Sequence, residues 1–302
     1  MKSSRLIDVR VHLALLFVQI SFGGFSVFGK YVLGHVSPLS LAAMRILFAG
    51  PLLMLLALRF DRVRPKGRDF LTLAGLGFFG VFLNQLLFIT GLDYTTAVNA
   101  SILMPSIPVF TVAVAMAMGI ERITWRRSFG IGLAVAGAMI MLRVTRFSLA
   151  EDTVIGNILI LVNCLSYSIF LVRARPVLLR IPPLTVIAWT FVFGGAGVLI
   201  VSAPDLLRTP FSTLPPLAWT GIAYVVIFPT LINYLLNTWA IKRSSSTLVA
   251  TYTTLQPVVA TTLAVFLLGE HFGLRELLGF LLIVSGLLWI TRESAGNKMA
   301  DS

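Results

Sequence analysis

The residues of this chain that could do chemistry are few, and their spacing argues against catalysis. There is one cysteine, Cys164, inside an apolar run, so no disulfide and no thiolate cluster can form within the chain. The three histidines, His12, His35 and His271, are scattered near the ends of apolar segments, and no HExxH or CxxC spacing occurs. No Asp or Glu falls inside an apolar run. General acid–base chemistry needs titratable groups that converge on a substrate, and none converge here. The expectation is a protein that is not an enzyme and holds no metal or cofactor.

Polar residues within apolar runs are a different matter. Arg45 is the only charge well inside one. An intramembrane charge is costly and usually faces a cavity or a partner. Two readings stay open: a contact for a carboxylate or phosphate group, or a clamp onto backbone carbonyls. Asn233 and Asn237 are four residues apart, as are Tyr252 and Gln256, and Asn163 and Tyr167. That spacing puts each pair on one helix face. Asn84 and Gln85 lie in the corresponding stretch of the first half. Amides and phenols would suit a polar or zwitterionic solute, and Phe88, Trp189 and Tyr234 could supply apolar walls. The competing reading of each polar residue is an interhelical hydrogen bond. Pro108 and Pro257 fall in mid-run and are candidate hinges, because proline frees a carbonyl and kinks a helix.

These residues need elements to carry them, and the composition says which. The chain is 57% hydrophobic and 12% charged over 302 residues. A soluble core of this length could not hide so much apolar surface, whereas a bilayer can. Ten candidate spans run roughly 12–33, 38–58, 70–90, 95–118, 128–143, 155–174, 183–203, 216–239, 245–268 and 273–291. The net charge of +12 could suggest nucleic acid, but the basic residues lie between apolar runs, where membrane topology explains them. With the N-terminus inside, 18 Lys and Arg fall in inside segments and 5 (Lys30, Arg143, Arg146, Arg208, Arg275) outside; Arg45 completes the 24. Both termini are therefore expected in the cytoplasm. The N-terminus has no convincing cleavage site, so the first run reads as a retained span.

The chain also repeats itself at an offset of 149 residues. Pro108 matches Pro257, Glu121 matches Glu270, Gly130 matches Gly279, Gly137 matches Gly286, and upstream Asn84 matches Asn233. The opening spans correspond more loosely: FSVFG at 25–29 with YSIFL at 167–171, and PLSLAA at 38–43 with PLTVIA at 183–188. The fold expected is all-α: ten transmembrane helices as two five-helix repeats, residues 12–143 and 154–291. Five is odd, so the repeats insert in opposite orientations, the signature of alternating-access transport with substrate bound between them. Glu121 and Glu270 read as helix N-terminal carboxylates. The paired glycines read as packing surfaces, with homodimerisation through the outermost helices as the other use.

LAAMR at 41–45, SILMPSIPVF at 101–110, GIERITWRRSFGIGLAVAG at 119–137 and GEHFGLRELLGFLLIVSG at 269–286 resemble the drug/metabolite transporter superfamily, and within it the EamA-type families of two five-span repeats. The resemblance implies a helical bundle with a central cavity, in a bacterial cytoplasmic membrane, exporting small solutes such as amino acids or amines. It does not name the substrate. The membrane carboxylate that drives the small four-helix multidrug carriers is missing here, so that coupling does not carry over. Arg45 has Thr190 at its place in the second repeat, so its role belongs to one half only. A lipid-modifying membrane enzyme, a channel or a sensor are the rival readings. No cluster of His, Asp or Glu, no charged constriction and no soluble output domain favours them.

Overall fold

The computed structural model describes residues 9–61, 63–95, 100, 103–120, 124–141, 151–256, 258–259 and 274–300. Pro257, Glu121, Glu270 and His271 lie outside them. The described chain is helical throughout. The first repeat contributes α1 (Val9–Leu33), α2 (Pro38–Phe60), α3 (Arg68–Tyr94), α4 (Ser106–Ala117) and α5 (Trp125–Met141). The second contributes α6 (Glu151–Leu178), α7 (Pro183–Arg208), α8 (Pro216–Arg243), α9 (Ser246–Thr251, continued by a 3-10 turn at Tyr252–Leu255) and α10 (Leu274–Ala300). Long apolar side chains project outward along these helices: Leu71, Ile200 and Leu207 are all more than three-quarters exposed. Water would not tolerate that surface, and lipid tails would.

Each repeat packs mainly against the other. The partners are α1 with α8, α3 with α6, α2 with α7, α4 with α9, and α5 with α10. This is the pattern a two-fold axis between the repeats would generate, and it puts the inter-repeat surface at the centre of the bundle. The pairing of α5 with α10 uses the glycines of the repeat. A Cβ on Gly137 would stand 2.6 Å from the Gly279 carbonyl oxygen, and one on Gly130 would stand 3.0 Å from that of Gly286. Only glycine permits so close an approach. These glycine faces are used within one chain.

Two latches tie α2 to α7. At one end the Ser40 and Thr209 hydroxyls are 2.6 Å apart. At the other, Asp61 at the C-terminus of α2 accepts from the Thr185 backbone N–H at 2.9 Å and from its hydroxyl at 2.7 Å. Ser40 and Thr185 occupy matching places in PLSLAA and PLTVIA, so the latches are repeat-mates with different chemistry. Hydrogen bonds to a charged group contribute about 1.5–3 kcal/mol each when half-buried. Asp61→Ala should therefore lower the unfolding temperature of the purified protein clearly more than Asp61→Asn, which keeps an acceptor. Equal shifts for the two variants would show that the latch adds nothing. The Asp69–Arg180 pair nearby, at 3.3 Å, is largely exposed on the arginine side and contributes little.

The fourth and ninth elements differ from the unbroken spans expected at 95–118 and 245–268. The chain turns at Met104–Pro105, and α4 starts only at Ser106. Pro108 thus stands in the first helical turn rather than in mid-helix, where its missing N–H leaves no carbonyl unpaired. At the equivalent depth of the second repeat, α9 tightens into the 3-10 turn.

Both third helices contain a π turn, at Phe78–Leu83 and at Val226–Ile232. Offset by 149, the first maps onto 227–232, so these turns are repeat-mates as well. The cause is visible in α8. Pro229 has no N–H to give the Val225 carbonyl, so the ladder steps to the i→i+5 register of the π turn, and the Thr230 hydroxyl also donates to that oxygen, at 2.7 Å. In α3, Gly80 stands at the place of Pro229. There the loosened carbonyls are met from the other repeat: Ser166 donates to Phe79 O at 2.8 Å, and the Tyr234 hydroxyl lies 2.9 Å from Gly80 O. Such π turns are rare and collect at functional sites.

Candidate functional site

A cavity opens between the repeats, lined from α3 and α8 by residues that follow the two π turns in sequence. Its wall takes Gln19, Phe22 and Phe25 from α1, Arg45 from α2, Asn84 and Phe88 from α3, and Asn163 and Tyr167 from α6. Tyr234 and Asn237 of α8 complete one side, and the other is closed by Ala100, Met104, Ile107, Val249, Thr253 and Gln256. The space available to the centres of water-sized molecules is about 80 Å³. One water needs about 10–15 Å³ by that measure, so there is room for a small solute.

Arg45 is the one charge of the wall, and it is 3% exposed. Its Nε donates to Thr230 Oγ1 at 2.7 Å, and its guanidinium carbon stands 5.2 Å from the centre of the Phe25 ring. Among the described residues no carboxylate lies within salt-bridge distance of it. Burial of a cation is costly unless it is paired and hydrogen-bonded. Here, among the described residues, one hydroxyl and one ring face meet the guanidinium, and no hydrogen bond joins its terminal nitrogens to a carbonyl or carboxylate. Among the described residues, no hydrogen bond from Arg45 to a backbone carbonyl is seen, as the clamp reading from sequence would require.

The neutral polar groups form a network across the repeats. Asn163 Nδ2 donates to the Asn84 carbonyl oxygen at 2.8 Å. The Tyr234 hydroxyl lies 3.0 Å from Asn84 Oδ1. Asn237 Nδ2 donates to the Tyr167 hydroxyl at 3.0 Å, which leaves Asn237 Oδ1 buried without a donor. Gln256 Nε2 donates to Gln19 Oε1 at 3.2 Å. Nearer the start of α1, His12 Nδ1 and the Tyr252 hydroxyl are 2.5 Å apart. Helices α1 and α9 are thus bridged twice on the same side of the cavity. The apolar part of the wall is aromatic, with Phe25 stacked on Phe88 at 5.4 Å between centroids.

Of the residues singled out by sequence, Arg45, Asn84, Phe88, Asn163, Tyr167, Tyr234, Asn237 and Gln256 line this cavity. Four do not. Trp189 packs edge-on against Phe70 at 4.9 Å, on another face of the bundle. Tyr252 is spent on His12. Asn233 points away, its Nδ2 donating to Val18 O at 3.4 Å. Gln85 is fully buried, and neither of its amide atoms has a hydrogen-bond partner. Sequence reasoning missed Gln19, Phe22, Phe25, Ala100, Met104, Ile107, Val249 and Thr253. A signal for several existed in the repeat: Phe88 with Asn237, Ala100 with Val249, Met104 with Thr253, and Ile107 with Gln256 are all 149 apart, and all eight line the cavity.

The chain matches the sequence pattern of the EamA-like transporter family twice, at residues 9–143 and 154–292. An uncharacterized transporter of Bacillus subtilis (strain 168) is 24% identical, with 90% of this chain and 92% of that protein covered. The protein WALLS ARE THIN 1 of Arabidopsis thaliana is 28% identical over 93% of this chain and 82% of its own length. A probable terminal-alkyne amino-acid exporter of Streptantibioticus cattleyicolor is 26% identical over 94% and 91%. A solved crystal structure superimposes with a TM-score of 0.73 at 19% identity, covering 95% of this chain and 98% of that one, which is a likeness of fold.

Proposed function

This chain belongs to the EamA-like transporter family, and from that premise we propose that it exports small amino-acid-like metabolites by alternating access. It is a multi-pass membrane protein and a transporter, not an enzyme. The observation that carries the substrate reading is the buried Arg45 guanidinium in the cavity wall, without a carboxylate partner among the described residues. A solute carboxylate would supply the missing charge and accept from the free N–H groups. Asn237 Oδ1, buried and without a donor, would accept from an ammonium, which the ring faces of Phe22, Phe25 and Phe88 would also attract. A bare amine would meet Arg45 as a like charge, so amines are the weaker candidates. The relative described as a probable amino-acid exporter supports the same choice.

In this reading residues 12–143 and 154–291 are the two units that rock against each other. The break at Met104–Pro105 and the 3-10 turn at Tyr252–Leu255 give at matched depths on the two sides. Pro108 supports the first of these bends, and Pro257, from its place in the repeat, the second. The Lys and Arg bias supports both termini in the cytoplasm of a bacterial cell and insertion in its inner membrane.

The test is a metabolite profile of the medium from cells overexpressing the wild type, beside cells overexpressing Arg45→Ala at matched membrane abundance. We expect an amino acid or a close derivative to accumulate outside only with the wild type. An amine, a sugar or no solute at all in the wild-type medium would sink the reading.

A further inference from the structure

We propose that Thr230 is a positioning residue that joins Arg45 to the π turn of α8, so that this turn, and not its mate in α3, responds to what Arg45 binds. This rests on the reading that Arg45 meets the substrate's carboxylate.

The Thr230 hydroxyl does two things with one oxygen. It accepts from Arg45 Nε at 2.7 Å and donates to the Val225 carbonyl at 2.7 Å. The second bond reinforces the π turn at the carbonyl that Pro229, lacking an N–H, cannot meet. The guanidinium is therefore in series with a defect of the helix ladder. Fixing Nε also fixes which edge of the guanidinium is offered. With Nε occupied, a carboxylate is met by the two terminal nitrogens, end-on, and the side-on edge that includes Nε is closed. A solute that draws the guanidinium toward the cavity lengthens the Nε bond, and the charge-assisted hydrogen bond that supports the turn weakens.

The first repeat has no such connection. Val81 stands where Thr230 stands, and Thr190 stands where Arg45 stands. The Thr190 hydroxyl is spent on its own helix, donating to Ile187 O at 2.8 Å. The α3 turn is held instead by Ser166 and Tyr234, neither of which touches Arg45 through a hydrogen bond. Tyr234 lies one helical turn after Thr230 on the same face of α8. Two halves of like architecture are given unequal roles by two substitutions, Arg45 for Thr190 and Thr230 for Val81.

The decisive experiment is amide hydrogen exchange of the purified full-length protein in nanodiscs, read on segments 226–232 and 78–83. Thr230→Val keeps the shape and removes both bonds. It should speed exchange at 226–232 roughly tenfold or more, as loss of a charge-assisted bond would. Thr230→Ser restores the hydroxyl and should stay within about twofold of the wild type. Arg45→Ala should speed exchange at 226–232 several-fold and leave 78–83 unchanged. If Arg45→Ala leaves both segments as they were, or loosens them equally, the link is overturned. If Thr230→Ser behaves like Thr230→Val, the hydroxyl is not the cause and the proposal fails. Thr230→Ser also guards against a folding artefact, because it must retain the wild-type unfolding temperature. A parallel arm measures counterflow of L-phenylalanine in proteoliposomes. Absence of wild-type counterflow there would count against the proposed substrate class and leave the exchange result standing. Where counterflow occurs, Thr230→Val should raise KM about tenfold with a smaller change in maximal rate, since it misplaces the binding group.

Discussion

Arg45→Ala lowers the apparent affinity for a carboxylate-bearing solute by about 10–100-fold, while the protein still reaches the membrane. The size follows from a hydrogen bond to a charged group, about 1.5–3 kcal/mol, with each 1.4 kcal/mol a factor of ten. The same change removes a buried cation that, among the described residues, is met by one hydroxyl and one ring. Its folding cost is therefore small, and abundance should hold or rise. Arg45→Lys keeps the charge but gives up the planar fork and the bond from Nε to Thr230, so it should recover only part of the activity. Initial rates of counterflow across a range of solute concentrations check this. Unchanged KM in Arg45→Ala, with loss of protein from the membrane, would make Arg45 a structural residue and take the substrate reading with it.

Gly137→Leu destroys the packing of α5 on α10 and removes most folded protein from the membrane. A Cβ there would stand 2.6 Å from the Gly279 carbonyl oxygen and 2.9 Å from the Ile283 backbone nitrogen. Both obstacles are backbone, so no side chain can rotate out of the way. Overpacking of this kind costs about 1–3 kcal/mol for a small insertion, and a leucine must push two whole helices apart. Gly132, on the same helix, has open space where its Cβ would go. Gly132→Leu is thus the internal control and should express like the wild type. Fluorescence-detected size exclusion of detergent extracts separates the outcomes. Equal monodisperse yields for the two variants would mean that α5 and α10 are not held by this seam.

The two predictions draw on different layers of information. Gly137 and its mates were readable in sequence as small residues at matching places in a repeat. What they pack against was not, because a membrane helix offers little contrast between its inner and outer faces. In water, an apolar stripe marks the side that turns inward. In lipid both sides are apolar, and the dimer seam and the intramolecular seam look alike. The same blindness misplaced Trp189, which belongs to an aromatic cluster with Phe70 and Phe193. It also hid Phe22, one of many phenylalanines with nothing in its spacing to mark it, whereas Phe25 had a mark in its repeat-mate Tyr167. Polar residues were easier, since an amide in hydrocarbon needs a partner wherever it points. Even so, Asn233 and Asn237, one turn apart, have separate fates: one is turned to α1 and the other to the cavity.

The amino-acid sequence by itself determined that this protein lives in a bilayer, that its helices come as two five-helix repeats, and that one charge is carried inside. Those features follow from composition, from the length of apolar runs and from self-similarity, all of which act along a single segment of chain. Only the tertiary structure decided that Arg45 is met by Thr230, that Asn84 and Tyr234 line one cavity, and that the glycine seam closes within the chain. Those facts join residues more than a hundred positions apart. Helices can satisfy their own backbones anywhere in lipid, so what brings these residues together is packing between the repeats, which no local stretch of sequence contains.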